Sequence, residues 1–427
     1  MKLVWLIIYN VLIYPPLFVV GCIVCLFNSK LRQGVLGRFR SISKLKHYFN
    51  QNEINKDIYW FHAASLGEFY QVKPVMEGLK EVEPNCITLL SFSSPSGYNH
   101  AKSDAIDLRI YMPFDFPWSV RKSLKITKPK KVIFASYDIW PNMVWISENR
   151  KVHTNIFAAR VKDGSLKLKP GFLGFFESVY RSISTIYTVA DKDFNRMNII
   201  VGEREKPVIR SLGNPRYDMV MKTADDFTQH HQQSVLSRCK RIIIGSSHSE
   251  DDTYLIPVLS DLMTEYPEIK VLYAPHEPLA PELERIQNSF SSLGYDSTIF
   301  KKKKSLNLPD NRLLILGVVG VLSKLYWQGQ IAYIGGGFSK GIHNVMEPAI
   351  ARLPILFGPK YHHAHEAEEL LENGGGFCIQ NVEEIQTVLR RLITDNEYFL
   401  NASSAATNVI HQNLGSSTRI IRSLIRD

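Results

Sequence analysis

The chain has 427 residues, which is too long for one ordinary hydrophobic core and suits two domains of common size. Hydrophobic residues make up 45% of it and charged residues 22%, as in folded rather than disordered proteins. The net charge of +10 indicates an anionic partner. Because no nucleic-acid-binding motif occurs, a membrane surface or a phosphorylated substrate is favoured. The five cysteines lack metal-binding spacing, and such a sparse, odd set fits a reducing compartment.

Residues 3–27 form an uncharged apolar stretch that is long enough to span a bilayer, which requires about 20 residues. Pro15 and Pro16 would kink such a helix, and no small-residue cleavage site follows it. We therefore expect a retained anchor rather than a cleaved signal peptide. Six basic residues follow by residue 46, and the positive-inside rule then places the body of the protein in the cytoplasm. We predict an anchor and basic juxtamembrane segment at 1–47, either spanning the bilayer or lying in one leaflet.

The first α/β unit opens with a predicted strand at 58–65 and a helix at 66–82. Glu68 lies in the first turn of this helix, where an α/β protein commonly presents its chemistry. As a structural residue, this carboxylate would stabilise the helix N-terminus by about 1 kcal/mol or less. As a functional residue, it would act as a general base that removes a proton from an acceptor hydroxyl. The residues alone leave both roles open.

Polar segments follow two further predicted strands of this unit. The turn at 91–98, SFSSPSGY, contains Ser94 and Ser96 and is suited to bind an acceptor sugar or phosphate. The strand at 131–135 runs into SYDIWPN at 136–142. The first of these segments is therefore a candidate acceptor-binding turn.

Two arginines lie in the second half of this unit. Arg160 follows a predicted strand at 152–157, where a structural salt bridge is the common fate of an arginine. Arg216 lies in LGNPRYD, the segment that closes this half of the chain. We predict an N-terminal domain at 48–218 and a hinge in the polar residues 219–236.

The second α/β unit, predicted at 237–427, begins with RIIIGSSHSEDD, which indicates a strand, a small-residue turn and a helix. Ser246 and Ser247 end the strand, and His248 either satisfies the turn or faces a ligand. A strand at 270–273 then leads into Pro275 and His276. Another strand near 313 leads into a turn that contains Val318, Val319 and Gly320.

The stretch 333–359 indicates a strand, a glycine turn, a helix beginning near His343 and Asn344, and a second strand. Ligands of parallel sheets bind beyond the carboxyl ends of the strands, where glycines let the backbone approach and helix N-termini favour anions. Glu347, one turn into this helix, can accept two hydrogen bonds from a ribose diol. The alternative is a capping box in which Gly336 and Gly337 are only turn residues.

These motifs resemble, in order, those of the 3-deoxy-D-manno-octulosonic acid (Kdo) transferases, which are GT-B-type glycosyltransferases. HAASLGE at 62–68 is similar to the family's H-x-x-S-x-G-E, whose glutamate is the proposed catalytic base. GIHNVMEP at 341–348, followed by a strand that ends in Gly-Pro, is similar to the donor-nucleotide motif. The resemblance spans about residues 57–380. It implies an α/β fold of two Rossmann-like domains with a cleft between them, plus the N-terminal anchor helix.

The chain departs from the family pattern at several positions. Ser136 replaces the first glutamate of the family's E-x-E-x-W-P-N, and Asp138 replaces the second, so Asp138 is the candidate to support the base. Arg216 replaces a lysine. His276 replaces an arginine that would meet the donor phosphate, which predicts a weaker or pH-sensitive contact. The turn at 318–320 lacks the family's acidic residues but keeps a backbone able to read cytosine.

The resemblance implies transfer of Kdo from CMP-Kdo to the tetra-acylated lipid A precursor, lipid IVA, at the cytoplasmic face of the inner membrane. The predicted catalytic residues are Glu68 and Asp138. The predicted acceptor-binding residues are Ser65, Gly67, Ser94, Ser96, Arg160 and Arg216. The predicted donor-binding residues are Ser246, Ser247, Pro275, His276, Val318, Val319, Gly320, Gly336, Gly337, His343, Asn344, Val345, Met346 and Glu347.

We expect no cofactor, no metal and no nucleic-acid partner. His362, His363 and His365 lie close together in the sequence, but no cysteine or fourth ligand accompanies them, so they indicate a polar helix start. Two other functions remain open. One is a nucleotide-sugar 2-epimerase of the same fold, against which residues 3–27 argue. The other is a membrane-tethered, non-catalytic nucleotide or lipid binder, against which the retained Glu68 argues.

Overall fold

Two parallel β-sheets of seven strands each form the framework of the chain. A computed structural model describes residues 2–51, 55–162, 164–202, 207–228, 234–302, 307–362 and 364–426. The chain divides into two units, Met1–Met219 with Gly415–Asp427, and Val220–Leu414. Each unit contains one sheet with helices packed against it, so the prediction of an α/β fold with two Rossmann-like domains is confirmed.

The N-terminal segment is helical and belongs to the first unit. It comprises α1 (Lys2–Ile8), a π-helical turn (Tyr9–Ile13), α2 (Tyr14–Phe27) and α3 (Ser29–Gln51). Pro15 and Pro16 lie at the start of α2, where a missing N–H is tolerated. Within the described residues, Lys2–Phe27 is the one helix long and apolar enough to cross a membrane, with a mean hydropathy of 2.2.

The first sheet has the strand order β3-β2-β1-β4-β5-β6-β7, and all its pairs are parallel. Its strands are β1 (Ile58–Ala63), β2 (Ile87–Phe92), β3 (Leu108–Tyr111), β4 (Lys131–Ala135), β5 (His153–Ala159), β6 (Thr185–Thr188) and β7 (Val208–Ser211). The central strands are buried on both faces, which explains their nearly continuous apolar sequence. Because β2, β1, β4 and β5 are neighbours, the loops at their carboxyl ends meet at one edge.

The helices of this unit lie between successive strands, as in a doubly wound fold. They are α4 (Leu66–Val82), α5 (Pro95–His100), α6 (Pro117–Thr127), α7 (Pro141–Asn149), α8 (Pro170–Tyr180) and α9 (Asp191–Val201). After β7, α10 (Arg216–Thr228) begins in the first unit and continues into the second. The predicted strand and helix around Glu68 therefore agree closely with β1 and α4.

The second sheet has the order β10-β11-β9-β8-β12-β13-β14 and is also parallel. Its strands are β8 (Arg241–Ser247), β9 (Lys270–Pro275), β10 (Thr298–Phe300), β11 (Leu313–Leu316), β12 (Ile331–Ile334), β13 (Ile355–Phe357) and β14 (Gly376–Cys378). Its helices are α11 (Ser249–Glu265), α12 (Ala280–Ser291), α13 (Leu322–Leu325), α14 (Met346–Ile350), α15 (His365–Asn373), α16 (Val382–Thr394) and α17 (Asn396–Gln412). The neighbouring strands β9, β8 and β12 bring their terminal loops together.

The last helix, α18 (Ser416–Arg426), packs in the first unit against α4. Asp218 accepts hydrogen bonds from the backbone N–H groups of Gly415 (2.6 Å) and Ser417 (2.7 Å), and so caps this helix. The prediction that all C-terminal helices belong to the second domain is therefore wrong for α18. Of the predicted hinge at 219–236, the first part continues α10, and residues 229–233 lie outside the described residues.

Candidate active site

Glu68 is a buried carboxylate at the carboxyl end of β1, with 8% of its surface exposed. It occupies the first turn of α4 and accepts a hydrogen bond from the backbone N–H of Ala64. Burial raises the pKa of Glu68 to about 7, the Ala64 N–H opposes this rise, and the carboxylate of Asp138 adds to it. The residue thus stabilises the helix start and also has the pKa of a general base for neutral pH.

Asp138 extends from the loop after β4 and hydrogen-bonds to residues of β1 and the loop after β2. Its Oδ2 lies 3.0 Å from the Nε2 of His62 and accepts a hydrogen bond from the Ser93 hydroxyl at 2.7 Å. Burial alone would raise the pKa of Asp138, but these two partners lower it to about 2. His62 is fully buried, and its Nδ1 lies 2.9 Å from the Ser91 hydroxyl. Asp138 is therefore ionised, and its hydrogen bonds position His62 and Ser93.

Two residues beside Asp138 complete this edge of the sheet. Ser136 has a φ of 59°, and its hydroxyl donates to the side chain of Gln71 at 2.5 Å, one turn beyond Glu68 on α4. Tyr137 is 60% exposed, and the rest of its surface is covered by the protein. This partial burial and the negative charge of Glu68 raise the pKa of Tyr137, while the positive charge of Arg160 opposes the rise. The sequence analysis did not select Tyr137 or His62, although both lie within the quoted motifs.

The predicted acceptor-binding residues surround this edge. Ser65, Ser94 and Ser96 line a cavity of about 1190 Å³ that also reaches Asp138, and the Ser94 and Ser96 hydroxyls are 2.8 Å apart. Gly67 lies in the first turn of α4, and a Cβ at this position would be 3.7 Å from the Oγ of Ser65, an ordinary van der Waals contact. Arg160 follows β5 and acts electrostatically on Tyr137.

Arg216 begins α10, and its backbone N–H donates to the Asn214 side chain at 3.1 Å. The Asn214 side chain also accepts a hydrogen bond from Gln71 at 3.3 Å, which connects this segment to α4.

Asp115 fastens the N-terminal helices to the first unit. Its Oδ2 accepts hydrogen bonds from the Tyr9 hydroxyl (3.0 Å) and the Asn142 backbone N–H (2.9 Å), and its Oδ1 accepts one from the Met143 N–H (3.0 Å). Its own backbone N–H donates to the Tyr14 hydroxyl at 2.7 Å. Burial raises the pKa of Asp115 to about 7. One face of the predicted anchor is therefore held by the globular fold.

In the second unit, Asp251 joins the loops after β8 and β12. It is fully buried and accepts hydrogen bonds from the backbone N–H groups of His248 (2.9 Å) and Gly336 (2.7 Å) and from the Tyr333 hydroxyl (2.8 Å). Asp251 was not predicted as a site residue, although it lies within the quoted segment RIIIGSSHSEDD. A buried carboxylate needs such donors, and in return it fixes the predicted donor loops.

The glycines of the β12 loop permit close backbone approach. A side chain at Gly336, whose φ is 91°, would place its Cβ 2.3 Å from the Gly341 carbonyl oxygen. At Gly337 the Cβ would lie 2.5 Å from the Cα of Gly358. These glycines are therefore structurally required whether or not they contact a ligand.

His248, His276 and His343 form a stack of nearly parallel rings at this edge of the sheet. Ring centroids are 4.3–5.3 Å apart, and the Nε2 atoms of His248 and His343 are separated by 3.0 Å. The three side chains lie close enough to bind a metal ion. However, two imidazole nitrogens at hydrogen-bond distance share one proton, which one ring donates and the other accepts. This arrangement fits a hydrogen-bonded stack better than a metal site.

The remaining predicted donor residues lie at the same edge. Ser246, with a φ of 55°, and Ser247 end β8, Pro275 ends β9, and Val318, Val319 and Gly320 form the turn after β11. The helix predicted to begin near His343 and Asn344 begins instead at Met346, with Val345 as its N-cap residue and Glu347 in its first turn. The Asn344 side chain accepts the Met346 N–H at 3.1 Å and so bonds to the helix start without being its N-cap residue.

Of the three histidines at 362–365, His363 lies outside the described residues. The Nδ1 of His365 lies 3.3 Å from the Oε2 of Glu368, and its Nε2 lies 3.4 Å from the Oε1 of Glu369. A protonated His365 would form ion pairs with both carboxylates. Its carboxylate neighbours are on its own helix, α15, which agrees with the predicted polar helix start.

Comparison with solved structures supports the fold. UDP-GlcNAc 2-epimerase from Neisseria meningitidis superposes with a TM-score of 0.62 over 87% of this chain and 100% of that chain, at 14% sequence identity. At this identity the likeness shows the fold alone.

Comparison of sequences supports the predicted resemblance. Residues 34–219 match the family described as 3-deoxy-D-manno-octulosonic-acid transferase (kdotransferase). The chain is 26% identical to the 3-deoxy-D-manno-octulosonic acid transferase of Aquifex aeolicus, over 82% of this chain and 90% of the relative. It is 23% identical to that of Chlamydia pneumoniae, over 90% of this chain and 89% of the relative. The chain is therefore a glycosyltransferase that resembles the Kdo transferases along most of its length.

Proposed function

We propose that this enzyme transfers Kdo from CMP-Kdo to the tetra-acylated lipid A precursor, lipid IVA, at the cytoplasmic face of the inner membrane, in lipopolysaccharide biosynthesis. The observation that carries the proposal is Glu68, a buried carboxylate with a pKa of about 7 that lies next to Ser65 and Asp138, the polar end of a largely apolar cavity. An alcohol is a poor nucleophile until its proton is removed, and a base with such a pKa is half ionised at neutral pH.

In the proposed reaction, Glu68 takes the proton of an acceptor hydroxyl as the hydroxyl oxygen bonds to the anomeric carbon of Kdo. The bond between that carbon and the CMP phosphate breaks, and CMP leaves with the bonding electrons. Asp138 keeps a negative charge near Glu68, which disfavours ionisation of the base and so strengthens its affinity for the proton. Its bonds to His62 and Ser93 hold this part of the site in place.

We infer that the second unit binds the CMP moiety at the carboxyl edge of its sheet. Glu347 accepts the ribose hydroxyls, the turn at 318–320 contacts cytosine through its backbone, and His276 lies near the phosphate. Burial and the neighbouring His248 lower the pKa of His276, so the residue is mainly neutral at pH 7 and contributes a hydrogen bond rather than a fixed charge. The chemistry assigned to the side chains requires no cofactor.

The N-terminal segment brings the enzyme to its lipid substrate. One face of Lys2–Phe27 is exposed and apolar, including Leu3, Val11 and Leu26, each more than 60% exposed. The opposite face is bonded through Tyr9 and Tyr14 to the globular fold. A helix docked in this way would have to draw α7 and α8 into the bilayer in order to cross it. We therefore propose that the segment lies in the cytoplasmic leaflet with its exposed face among the acyl chains.

The test is transfer of labelled Kdo, generated as CMP-Kdo in the assay, to purified lipid IVA. Wild type, Glu68→Gln, Glu68→Ala and the control Glu81→Gln are compared; Glu81 is exposed on the same helix. We expect product from wild type and the control, and a loss of about 10²- to 10⁴-fold in both Glu68 variants. Both Glu68 variants should still bind CMP and should still unfold cooperatively on heating. The mass of the wild-type product would give the number of Kdo units transferred.

Different failures would contradict different parts of the proposal. Near-normal turnover by Glu68→Ala would refute the base assignment. CMP binding without product from any variant would point to another acceptor or to a non-catalytic binder. A soluble epimerised sugar would indicate an isomerase. If the wild type did not bind CMP, the proposal that CMP-Kdo is the donor substrate would be refuted.

A further inference from the structure

We propose that Arg38 binds a phosphate group of the amphiphilic acceptor, inside a cavity enclosed by the N-terminal helices and the carboxyl-edge loops of the first sheet. This inference rests on the proposed function and names the chemistry by which its acceptor is recognised. Arg38 lies on α3, outside the motifs that the sequence analysis assigned to the acceptor, where it was counted only among the basic juxtamembrane residues.

The cavity has the chemical character of an amphiphile. Its volume is about 1190 Å³, and all of its lining residues belong to the first unit. Leu17, Phe18 and Gly21 of the apolar helix α2 form one wall. Ser65 and Asp138 lie at the polar end, beside Glu68. A ligand that fills this space would place acyl chains against α2 and a polar headgroup against the catalytic loops.

The guanidinium group of Arg38 lines this cavity and is stacked between aromatic rings. Its Cζ lies 4.5 Å from the centroid of the Trp140 ring and 6.0 Å from that of Phe114. Such stacking satisfies the faces of the guanidinium but leaves the N–H donors at its edge. Within the described ranges, no oxygen or nitrogen atom accepts a hydrogen bond from Arg38, and no carboxylate forms an ion pair with it.

The nearby carboxylates are already bonded elsewhere. Asp138 accepts hydrogen bonds from His62 and Ser93, and Asp115 accepts them from Tyr9 and from the start of α7. Both act on Arg38 only through longer-range attraction, while burial lowers the pKa of Arg38 by penalising its charge. A desolvated guanidinium without a hydrogen-bonded anion is energetically unfavourable, so an anionic ligand group would complete the site.

A phosphate fits this position because the planar fork of arginine matches two phosphate oxygens. The phosphate could come from the acceptor or from a bulk membrane phospholipid. The cavity that contains Arg38 also contains Ser65 and Asp138 beside the catalytic base. A phosphate bound there therefore belongs to the molecule that presents its hydroxyl to Glu68, which is the acceptor.

The test measures equilibrium binding of the acceptor in micelles of a neutral detergent without donor, so that it does not depend on transfer. Wild type, Arg38→Met and Arg38→Lys are compared with Arg40→Met, because Arg40 is exposed on the same helix. Each is titrated with the phosphorylated acceptor and with the same lipid after phosphatase treatment. Vesicles of anionic phospholipid without acceptor form a third arm.

For the phosphorylated acceptor, we expect Arg38→Met to raise Kd by about 10- to 100-fold and Arg38→Lys to restore part of the loss. For the dephosphorylated acceptor, Arg38→Met and wild type should bind within about twofold of each other, and Arg40→Met should resemble wild type throughout. Thermal unfolding of each variant without ligand monitors the fold.

Three results would overturn the inference. An unchanged Kd of Arg38→Met for the phosphorylated acceptor would show that Arg38 does not bind the acceptor phosphate. Equal losses on both acceptors would show that Arg38 only supports packing around Trp140. An equal loss of binding to acceptor-free anionic vesicles would assign the phosphate to bulk lipid. A wild type that binds the phosphorylated acceptor through Arg38 but transfers no Kdo would contradict the proposed function while leaving this inference in place.

Discussion

The Nε2 of His62 lies 3.0 Å from the Oδ2 of Asp138, joining β1 to the loop after β4. The family pattern suggested Asp138 as direct support for the base Glu68. Instead, Asp138 hydrogen-bonds to His62 and Ser93 and acts on Glu68 through space, where its negative charge helps to raise the pKa of the base. In the proposed reaction, this arrangement separates Glu68, which takes the proton, from Asp138, which adjusts the affinity of Glu68 for the proton.

The pH dependence of transfer should report Glu68. Because its pKa is about 7 and only the ionised form accepts a proton, activity should rise with pH through about 7 and level off above it. A carboxyl group with a raised pKa in the folded state also makes folding less favourable as pH rises from about 4.5 to about 7. Glu68→Gln should therefore raise the unfolding temperature more at pH 8 than at pH 5. An equal gain at both values would show that Glu68 is not protonated at neutral pH.

Asp138→Asn should shift that pH profile. Removal of the negative charge near Glu68 lowers the pKa of the base, so the rise in activity should move to lower pH. The maximal rate should fall by about tenfold, because His62 loses its charged partner. Asp104→Asn, at an exposed carboxylate, serves as the control in the same rate–pH measurement. A lower rate with an unmoved profile would mean that Asp138 acts only through His62.

Periodicity and motif order predicted most of the framework because each strand end in a parallel sheet is marked by polar or small residues. The predicted element boundaries around Glu68 agree with the structure. The helix predicted to begin near His343 and Asn344 begins instead at Met346, and Val345 is its N-cap residue. The position of α18 was missed, because its contact with Asp218 joins residues about 200 positions apart. Such long-range pairing leaves no local pattern.

Candidate site residues were predicted where a family motif marked them, and residues that only three-dimensional contacts bring to these loops were not. Arg38 looks like any other basic residue that follows an apolar helix, and its contact with Trp140 depends on how α3 packs. Asp251 looks like a helix-start carboxylate, and its bond to Gly336 spans two strands of the sheet. The sequence therefore revealed the loops at the strand ends but not the side chains that hold them together.

His276→Arg should tighten binding of CMP and remove its pH dependence. The groups that act on His276 are His248, Glu277 and Lys340, with His343 stacked on its ring, and its pKa is lowered by burial first and then by His248. Binding of an anionic ligand to the wild type should therefore strengthen as pH falls below about 6.5. The arginine variant should bind about tenfold more tightly at pH 7.5, and His276→Asn should bind like the neutral wild type. Titration calorimetry at pH 5.5 and 7.5 would measure both effects, and a pH-independent wild type would contradict the assignment.

Tyr9→Phe should loosen the N-terminal helices. The change removes the hydroxyl donor 3.0 Å from the buried Asp115 and leaves that carboxylate with one partner fewer, at a cost of about 1–3 kcal/mol in free energy of unfolding. Chemical denaturation followed by tryptophan fluorescence would measure the loss, because Trp145 packs against Tyr9. The control is Val11→Ala, on the exposed side of the same segment. If Tyr9→Phe and Val11→Ala lowered the free energy of unfolding equally, the hydrogen bond from Tyr9 to Asp115 would not be what holds the N-terminal helices to the fold.

Gly336→Ala should damage the donor site more than a glycine substitution with the same backbone strain elsewhere. Gly336 and Gly374 both have positive φ, 91° and 80°, but a Cβ at Gly374 would meet no atom within 4 Å, whereas one at Gly336 would lie 2.3 Å from the Gly341 carbonyl oxygen. Gly374→Ala should cost about 1–2 kcal/mol and leave CMP affinity unchanged. Gly336→Ala should cost more, because it also displaces the loop held by Asp251, and it should weaken CMP binding. If both variants lost the same stability and kept the same CMP affinity, the β12 loop would have no part in binding the donor.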